Sequence, residues 1–323
     1  MIKAIIIGCG KIAGLYDDID DDYIYSHAKA YSLNENIDLI GCCDLDIDNA
    51  KKLSEKYSIK MFSSDYIEMM KNNKIDIISV CTPNNTHFNI TKSILESDFL
   101  PKIIFLEKPA CQNIEQLDEL IALSDKKNVK IVVNHSRRFD ILHNELKEKI
   151  EQNEFGKLIK IDAIYYSGWQ HNGVHIIDTL SFLFDDELEF NTLLHKTDSP
   201  YQNDFNLDFK CNLKKSGALV YITTMDERYY QLFEFDLKFK EARVRVEDFG
   251  NRVSYEKKII NNMNENILVK EKFDIVVSSK SSMQIAVEKM VENLINQKSL
   301  DGYLIKDISR TMKTVWEGLE WIR

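Results

Sequence analysis

The sequence predicts an α/β protein: a doubly wound parallel sheet at the N-terminus, followed by an α+β domain on a large open, mostly antiparallel sheet. Three observations predict this. Residues 1–134 alternate short apolar runs with helix-patterned segments. The first run ends in a glycine-rich turn, Gly8-Cys9-Gly10. From Glu187 to about Val269, strand candidates follow one another with turn signals between some of them, as antiparallel pairing requires.

The elements follow in chain order. Lys3–Gly8 is a strand, and Gly10–Ala13 opens a helix. Ile37–Cys43 is a β-rich run ending at Asp44, and Ile47–Tyr57 has helical spacing. Lys60–Phe62 is a short strand candidate and Ser64–Asn72 a helix. Ile75–Cys81, Lys102–Leu106 and Lys130–Val133 are strands, separated by helices over Thr86–Leu95 and Ile114–Lys126. Unbroken apolar strands suit a sheet covered on both faces, and this alternation gives right-handed parallel crossovers. In the second half, Ile141–Gln152 is an amphipathic helix, Lys157–Ser167 a strand and Val174–Leu183 a helix. The strand series is Glu189–Lys196, Phe205–Asn212, Ala218–Met225, Leu232–Phe239, Ala242–Val246 and Arg252–Lys257. Helices near Ser282–Asn296 and Ile305–Ile322 close the chain. The boundary falls near Asn134–Asp140, giving domains of residues 1–135 and 136–323 without a Gly/Ser linker.

Composition narrows the class. The 323 residues are 44% hydrophobic and 29% charged, an ordinary globular mix. A net charge of -10 argues against nucleic acid or an anionic membrane as partner. No apolar run reaches the roughly 18 residues of a membrane span, and the N-terminus lacks a signal-peptide cleavage site. The six cysteines lack CxxC spacing, so no metal is expected and free thiols in a reducing cytoplasm are. One stretch breaks the rhythm: Leu15–Tyr25, LYDDIDDDYIY, is an acidic insert. Its spacing is not that of an EF-hand, so a solvated loop is expected.

Gly8-Cys9-Gly10-Lys11-Ile12-Ala13 has the form G-x-G-x-x-A after a strand and before a helix, the dinucleotide-binding fingerprint of a Rossmann domain. Gly8 permits the turn, Gly10 lets a pyrophosphate approach the backbone, and Ala13 keeps helix and strand close. Asp44 ends the second strand, where it can bind the adenosine ribose hydroxyls and favour NAD over NADP; an ordinary turn-starting Asp is the other reading. A 2′-phosphate would need a cation such as Lys51 or Lys52.

Further segments appear in order: Cys81-Thr82-Pro83-Asn84 with His87, Glu107-Lys108-Pro109, Arg137-Arg138-Phe139, and Gly173-Val174-His175 with Asp178. Together with the glycines these resemble the Gfo/Idh/MocA (glucose–fructose oxidoreductase/inositol dehydrogenase) family, through about residue 185 in motifs and over the whole chain in layout. The stretch Tyr165–Asp178 is most similar to members that modify sugars for bacterial surface glycans. The resemblance implies an NAD(P)-dependent enzyme acting on a secondary alcohol or ketone of a sugar or nucleotide sugar, assembled as a homodimer or homotetramer. It implies that Thr82, Pro83 and Asn84 line the nicotinamide side, with His87 and Glu107 in the same motifs, that Lys108 is the catalytic lysine, and that His175 is the acid/base histidine. One position departs from the pattern: many members carry Asp four residues before the motif histidine, where this chain has His171.

The chemistry of each residue type agrees with that reading. Oxidising a carbinol needs a proton acceptor, and imidazole suits neutral pH. A lysine at the carboxyl end of a strand can polarise the carbinol oxygen. Glu107 pairs with a cofactor or lysine group, or else forms a structural ion pair. His171 and Asn172 are substrate-facing candidates, or a polar loop with Asn172 as an N-cap. Arg137 or Arg138 can bind an anion or bridge the domains, and Tyr166 and Trp169 can stack on a sugar face or fill core. Asp178 can orient His175. His87 suits packing at a helix start, and His27 lies near enough to the glycine turn to face the dinucleotide. Two alternatives share the fold: an NAD-retaining glycosidase or lyase, and a non-catalytic dinucleotide or sugar sensor.

Overall fold

The computed structural model describes residues 1–273, 275 and 280–322. The chain divides into two compact units, Met1–Asp140 with Ser279–Ser309, and Ile141–Ser278 with Arg310–Arg323. The sequence predicts domains of residues 1–135 and 136–323. The chain then returns, so the helix over Ser282–Asn296 packs in the first unit rather than the second.

In the first unit, six parallel strands are β1 (Ile2–Ile7), β2 (Ile37–Cys43), β3 (Met61–Ser63), β4 (Ile77–Val80), β5 (Ile103–Leu106) and β6 (Lys130–Val133). Their order is β3-β2-β1-β4-β5-β6, the dinucleotide-binding arrangement in which direction of winding reverses between β1 and β4. Every residue of β4 and β5 is buried, as the unbroken apolar runs require. Ile5 and Ile6 are fully buried, each contributing about 1.5–3 kcal/mol relative to exposure. The covering helices are α1 (His27–Ser32), α2 (Ile47–Tyr57), α3 (Tyr66–Lys71), α4 (His87–Glu96), α5 (Ile114–Lys127) and α6 (Ser136–Phe139). Side chains of Asp46, Asp65 and Asn113 cap α2, α3 and α5 by accepting from the amides of Asp48, Glu68 and Gln116.

The helix expected from Gly10 is only a five-residue turn, Lys11–Leu15, and α1 begins after the acidic insert. The insert is largely solvent-exposed, as expected, but anchored at Asp17 and Ile24, which are buried. Asp17 is 1% exposed and accepts from the amides of Tyr25 and Ser26 and from Ser26 Oγ. The Lys29 ammonium donates to the carbonyls of Asp18, Asp21 and Tyr23, and Lys56 donates to that of Asp17. Among the described residues, no group of three or more His, Cys, Asp or Glu is placed to hold a metal.

The second unit is built on an eight-stranded sheet, order β14-β13-β12-β11-β7-β10-β9-β8. Its strands are β7 (Leu158–Tyr166), β8 (Leu188–Asp198), β9 (Phe205–Leu213), β10 (Leu219–Met225), β11 (Glu234–Phe239), β12 (Ala242–Glu247), β13 (Arg252–Ile260) and β14 (Asn266–Glu271). Only β7 and β10 pair in parallel. The helix α8 (Val174–Phe184) packs on β7 and α7 (Ile141–Glu151) packs on α8, and burial alternates along β11 and β12 as a half-covered sheet requires. The chain ends with α9 (Ser282–Asn296) and α10 (Ser309–Glu320); α10 begins four residues later than expected because residues 301–308 form turns. No helix among the described residues is long and apolar enough to cross a membrane.

Candidate active site

The first unit presents its motifs at the carboxyl ends of three adjacent strands. Gly8–Gly10 follows β1, Thr82–Asn84 follows β4, and Glu107-Lys108-Pro109 follows β5. Gly8 has φ +88°, and a Cβ there would lie 2.7 Å from the Cys81 carbonyl carbon and the Thr82 nitrogen. Its second role, which spacing alone does not show, is therefore to let the β4 loop pack against the turn. Gly8→Ala is expected to destabilise the protein by about 2 kcal/mol or more, from left-handed strain and overpacking, measured by chemical denaturation.

Gly10 has nothing within 4 Å of the point where a Cβ would sit. The turn thus offers open backbone where a pyrophosphate would lie, and first-turn amides of a helix lack intrahelical acceptors. Lys11 is exposed and Ile12 half-buried, while Ala13 is fully buried as expected. The closest approach to α2 is made by Gly14, whose Cβ would meet Leu53 Cδ1 at 2.4 Å. Asp44 accepts from the Cys9 amide through Oδ2 at 2.7 Å and from the Asp46 amide through Oδ1 at 2.9 Å. That places the carboxylate beside the glycine turn. These features fit a dinucleotide: a turn open at Gly10, with a carboxylate at the end of the neighbouring strand.

Three candidates are corrected. Glu107 does not face a cofactor: it is 8% exposed and lies under the strand ends. Its Oε1 lies 2.9 Å from His27 Nε2 and accepts from Asn134 Nδ2 at 2.6 Å. Against the opposing effect of burial, the hydrogen bonds from His27 and Asn134 and the nearby Lys108 charge hold the Glu107 carboxyl below its usual range. His27 is itself fully buried, with Nδ1 2.9 Å from Ser79 Oγ, which also lies 2.7 Å from Tyr31 Oη, so it does not face the dinucleotide. His87 is likewise fully buried, its ring nitrogens 2.7 Å from the Pro109 carbonyl and 2.8 Å from the Thr82 carbonyl. Its ring ties the Thr82 loop to the Lys108-Pro109 loop, so it supports these loops rather than a ligand. Lys108 is half-buried, followed by a cis peptide to Pro109; Thr82 is half-buried, and Pro83 and Asn84 are exposed.

On α6, Arg137 is half-buried, whereas Arg138 is 4% exposed and donates to the Gly302 carbonyl at 2.8 Å, which gives it a structural role. The six cysteines are free and buried. Burial is the main cause that pushes the thiols of Cys43, Cys111 and Cys211 up to about 12, which keeps them protonated and unreactive near neutral pH.

In the second unit, a widened helical turn, Trp169–Gly173, runs into α8 and places His171 and His175 four residues apart, as neighbours on one face. His175 is half-buried with its ring edge-on to Phe233, 6.4 Å between centroids. Phe233 stacks on Phe249, which meets Tyr166 edge-on at 5.7 Å. Phe249 has φ +57°, an uncommon conformation for a bulky residue. A row of rings thus runs from His175 to Tyr166. His171 stacks on Tyr201 with centroids 3.8 Å apart and planes 20° apart. Tyr201 and its partner Glu227, 3.3 Å from the hydroxyl, escape sequence reasoning because no motif contains them.

Two more candidates are corrected here. Trp169 is fully buried and donates to the Val315 carbonyl at 2.9 Å; α10 approaches so closely that a Cβ on Gly318 would lie 2.6 Å from the indole. Asn172 is 3% exposed and donates to the Ser167 carbonyl at 2.8 Å, so it holds the turn rather than capping α8 or facing substrate. Asp178 is 2% exposed and accepts from Thr311 Oγ1 at 2.8 Å.

Comparison with known proteins agrees with this geometry. Residues 2–135 match the model described as the oxidoreductase family, NAD-binding Rossmann fold (GFO_IDH_MocA). Myo-inositol 2-dehydrogenase of Thermotoga maritima is 26% identical over 152 residues, 47% of this chain and 41% of the relative. D-glucoside 3-dehydrogenase of Escherichia coli is 27% identical over 157 residues, 49% of this chain and 41% of the relative. The matched stretches span less than half the length of these relatives. The fold extends further: the structure of KijD10, a 3-ketoreductase from Actinomadura kijaniata in complex with TDP-benzene and NADP, superposes with a TM-score of 0.76 at 14% identity, over 98% of this chain and 97% of that one. UDP-N-acetylglucosamine 3-dehydrogenase GnnA from Acidithiobacillus ferrooxidans superposes with a TM-score of 0.73 at 13% identity, over 98% of this chain and 96% of that one. Over residues 2–135 the chain is thus similar to the NAD-binding Rossmann domain of the Gfo/Idh/MocA oxidoreductase family.

Proposed function

We propose that the protein is an NAD-dependent oxidoreductase acting on a secondary alcohol or ketone of a sugar or nucleotide sugar. The observation that carries this reading is the carboxyl edge of the parallel sheet. There the open glycine turn, the Thr82–Asn84 loop and Lys108 follow neighbouring strands on either side of the winding reversal, where ligands bind in such sheets. The matched relatives, an inositol and a glucoside dehydrogenase, support the substrate class.

A bound nicotinamide supplies the hydride acceptor or donor. The Gly8–Gly10 turn and Asp44 hold the dinucleotide, and Thr82, Pro83 and Asn84 line its nicotinamide side. Lys108 stabilises the carbinol oxygen as it gains negative charge, and His175 takes or returns its proton. Tyr166 faces the sugar with its ring, and Arg137 remains a substrate contact. Free thiols suit a cytoplasmic setting, and the family resemblance suits a homodimer or homotetramer.

Two expected results arise here. Gly10→Ala keeps the unfolding midpoint near wild type but weakens NADH binding by about tenfold or more, read by fluorescence titration, because its methyl enters the pyrophosphate space. Asp44→Ala lowers the preference for NAD over NADP by roughly tenfold, the size of one charge-assisted hydrogen bond to the ribose. An unchanged ratio of kcat/KM for the two cofactors would remove Asp44 from recognition. The reading as a whole is tested by nicotinamide absorbance with a panel of sugars and cyclitols.

A further inference from the structure

Hydrogen bonds in the second unit converge on one side chain outside the motif pair. The turn carrying His171 is fixed from several sides. Asp204, 7% exposed, accepts from the Gln170 amide at 3.0 Å and the His171 amide at 2.9 Å. Gly168 has φ +84°, and its amide donates to Asn206 Oδ1 at 2.8 Å. A Cβ at Gly168 would lie 2.6 Å from Asp204 Oδ2, so the carboxylate is seated against the turn at a residue that must be glycine. These contacts set the direction of the His171 ring, which lies flat on Tyr201.

Behind Tyr201 stands a carboxylate. The Tyr201 hydroxyl donates to Glu227 Oε2 at 3.3 Å, and the Glu227 amide donates to Ser167 Oγ at 2.9 Å, which ties Glu227 to the start of the same turn. Burial and the Glu227 charge push the Tyr201 phenol up to about 12, so it stays protonated and keeps donating. A phenol that donates to a carboxylate is electron-rich, and such a ring attracts a stacked cation.

We propose that Glu227, acting through Tyr201, holds the His171 ring in its cationic form and fixed direction as a donor to a substrate oxygen beside the one handled by His175. His171 is then a substrate-binding residue, and Tyr201 and Glu227 are positioning residues. Charged or titratable groups around this pair include Glu227, Asp204 and Tyr166. The inference rests on the proposed sugar chemistry for its kinetic consequence, but its protonation claim stands independently.

The test uses the full chain labelled with ¹⁵N-histidine. The His171 signals are assigned by their loss in His171→Asn, and their titration midpoint is compared in wild type, Glu227→Gln and Tyr201→Phe. Circular dichroism confirms that each variant is folded. The expected result is a midpoint lower by roughly 0.5–1 pH unit in Glu227→Gln, with a smaller fall in Tyr201→Phe. KM for sugar rises roughly three- to tenfold while kcat is largely kept, the pattern of lost substrate binding. An unchanged midpoint in both folded variants overturns the inference. Wild type that turns over none of the sugars tested overturns the proposed activity instead, and the midpoint comparison still decides this one.

Discussion

His175→Ala lowers kcat/KM for sugar by about 10²–10⁴-fold, the usual contribution of a positioned acid/base group. The loss falls on kcat, because a proton must leave the carbinol only as the hydride does. NADH affinity stays near wild type, since His175 belongs to the second unit and the glycine turn to the first. Lys108→Ala produces a loss of similar size, and Lys108→Arg recovers part of it by restoring a cation at the end of β5. Steady-state kinetics with a parallel NADH titration separates the two effects. Full activity in both alanine variants would refute the assignment of these residues.

Glu107→Ala costs about 3–5 kcal/mol of stability, read by urea denaturation at neutral pH. The substitution leaves His27, Asn134 and Ser79 without the carboxylate that organises them, and removing the charged centre of a buried hydrogen-bonded network has this magnitude. His27→Ala is expected to cost a similar amount, and the double variant less than the sum, because the pair is lost once. The network also sets a pH dependence. The folded-state pKa of Glu107 is depressed, so the unfolded chain binds the proton more readily. The stabilisation is therefore fully present above the unfolded carboxyl value, about 4.3, and is lost as pH falls through the lower folded value. Wild type loses stability faster than Glu107→Gln over that acidic window. Parallel stability curves for the two proteins would contradict the pairing.

These two predictions differ in how visible their residues are in the sequence. Lys108 stands in a motif after an apolar strand, so its place at the sheet edge follows from periodicity and the strand-end rule. The His27–Glu107 pair joins residues 80 positions apart, and neither spacing nor composition shows such a contact. One signal was present: Ser79 is a polar residue inside the fully buried run of β4, and a buried hydroxyl requires a partner. The acidic insert was legible as an exposed loop, but not its anchors: Lys29, Lys56 and the buried Asp17 satisfy its backbone groups, and spacing does not show those contacts.

The second unit was legible as strands but not as a site. Alternating burial announced β11 and β12, whereas the short edge strand β14, exposed throughout, carried no such pattern. Trp169 and Asn172 looked like ligand contacts because they flank the motif histidine. Both are consumed by the turn that aims His171. Tyr201 and Glu227 reach that turn from loops more than two dozen residues further along the chain, where local sequence carries no trace of the contact.

The most direct test of the central claim follows a hydride. The protein is incubated with NAD and a panel of sugars and cyclitols deuterated at their ring carbons, and the released cofactor is examined by mass spectrometry and NMR. The account predicts reduced dinucleotide carrying one deuterium at nicotinamide C4 with at least one of these substrates, and none with His175→Ala on the same timescale. Reduced cofactor without deuterium, or a substrate consumed with no reduced cofactor released, would contradict it.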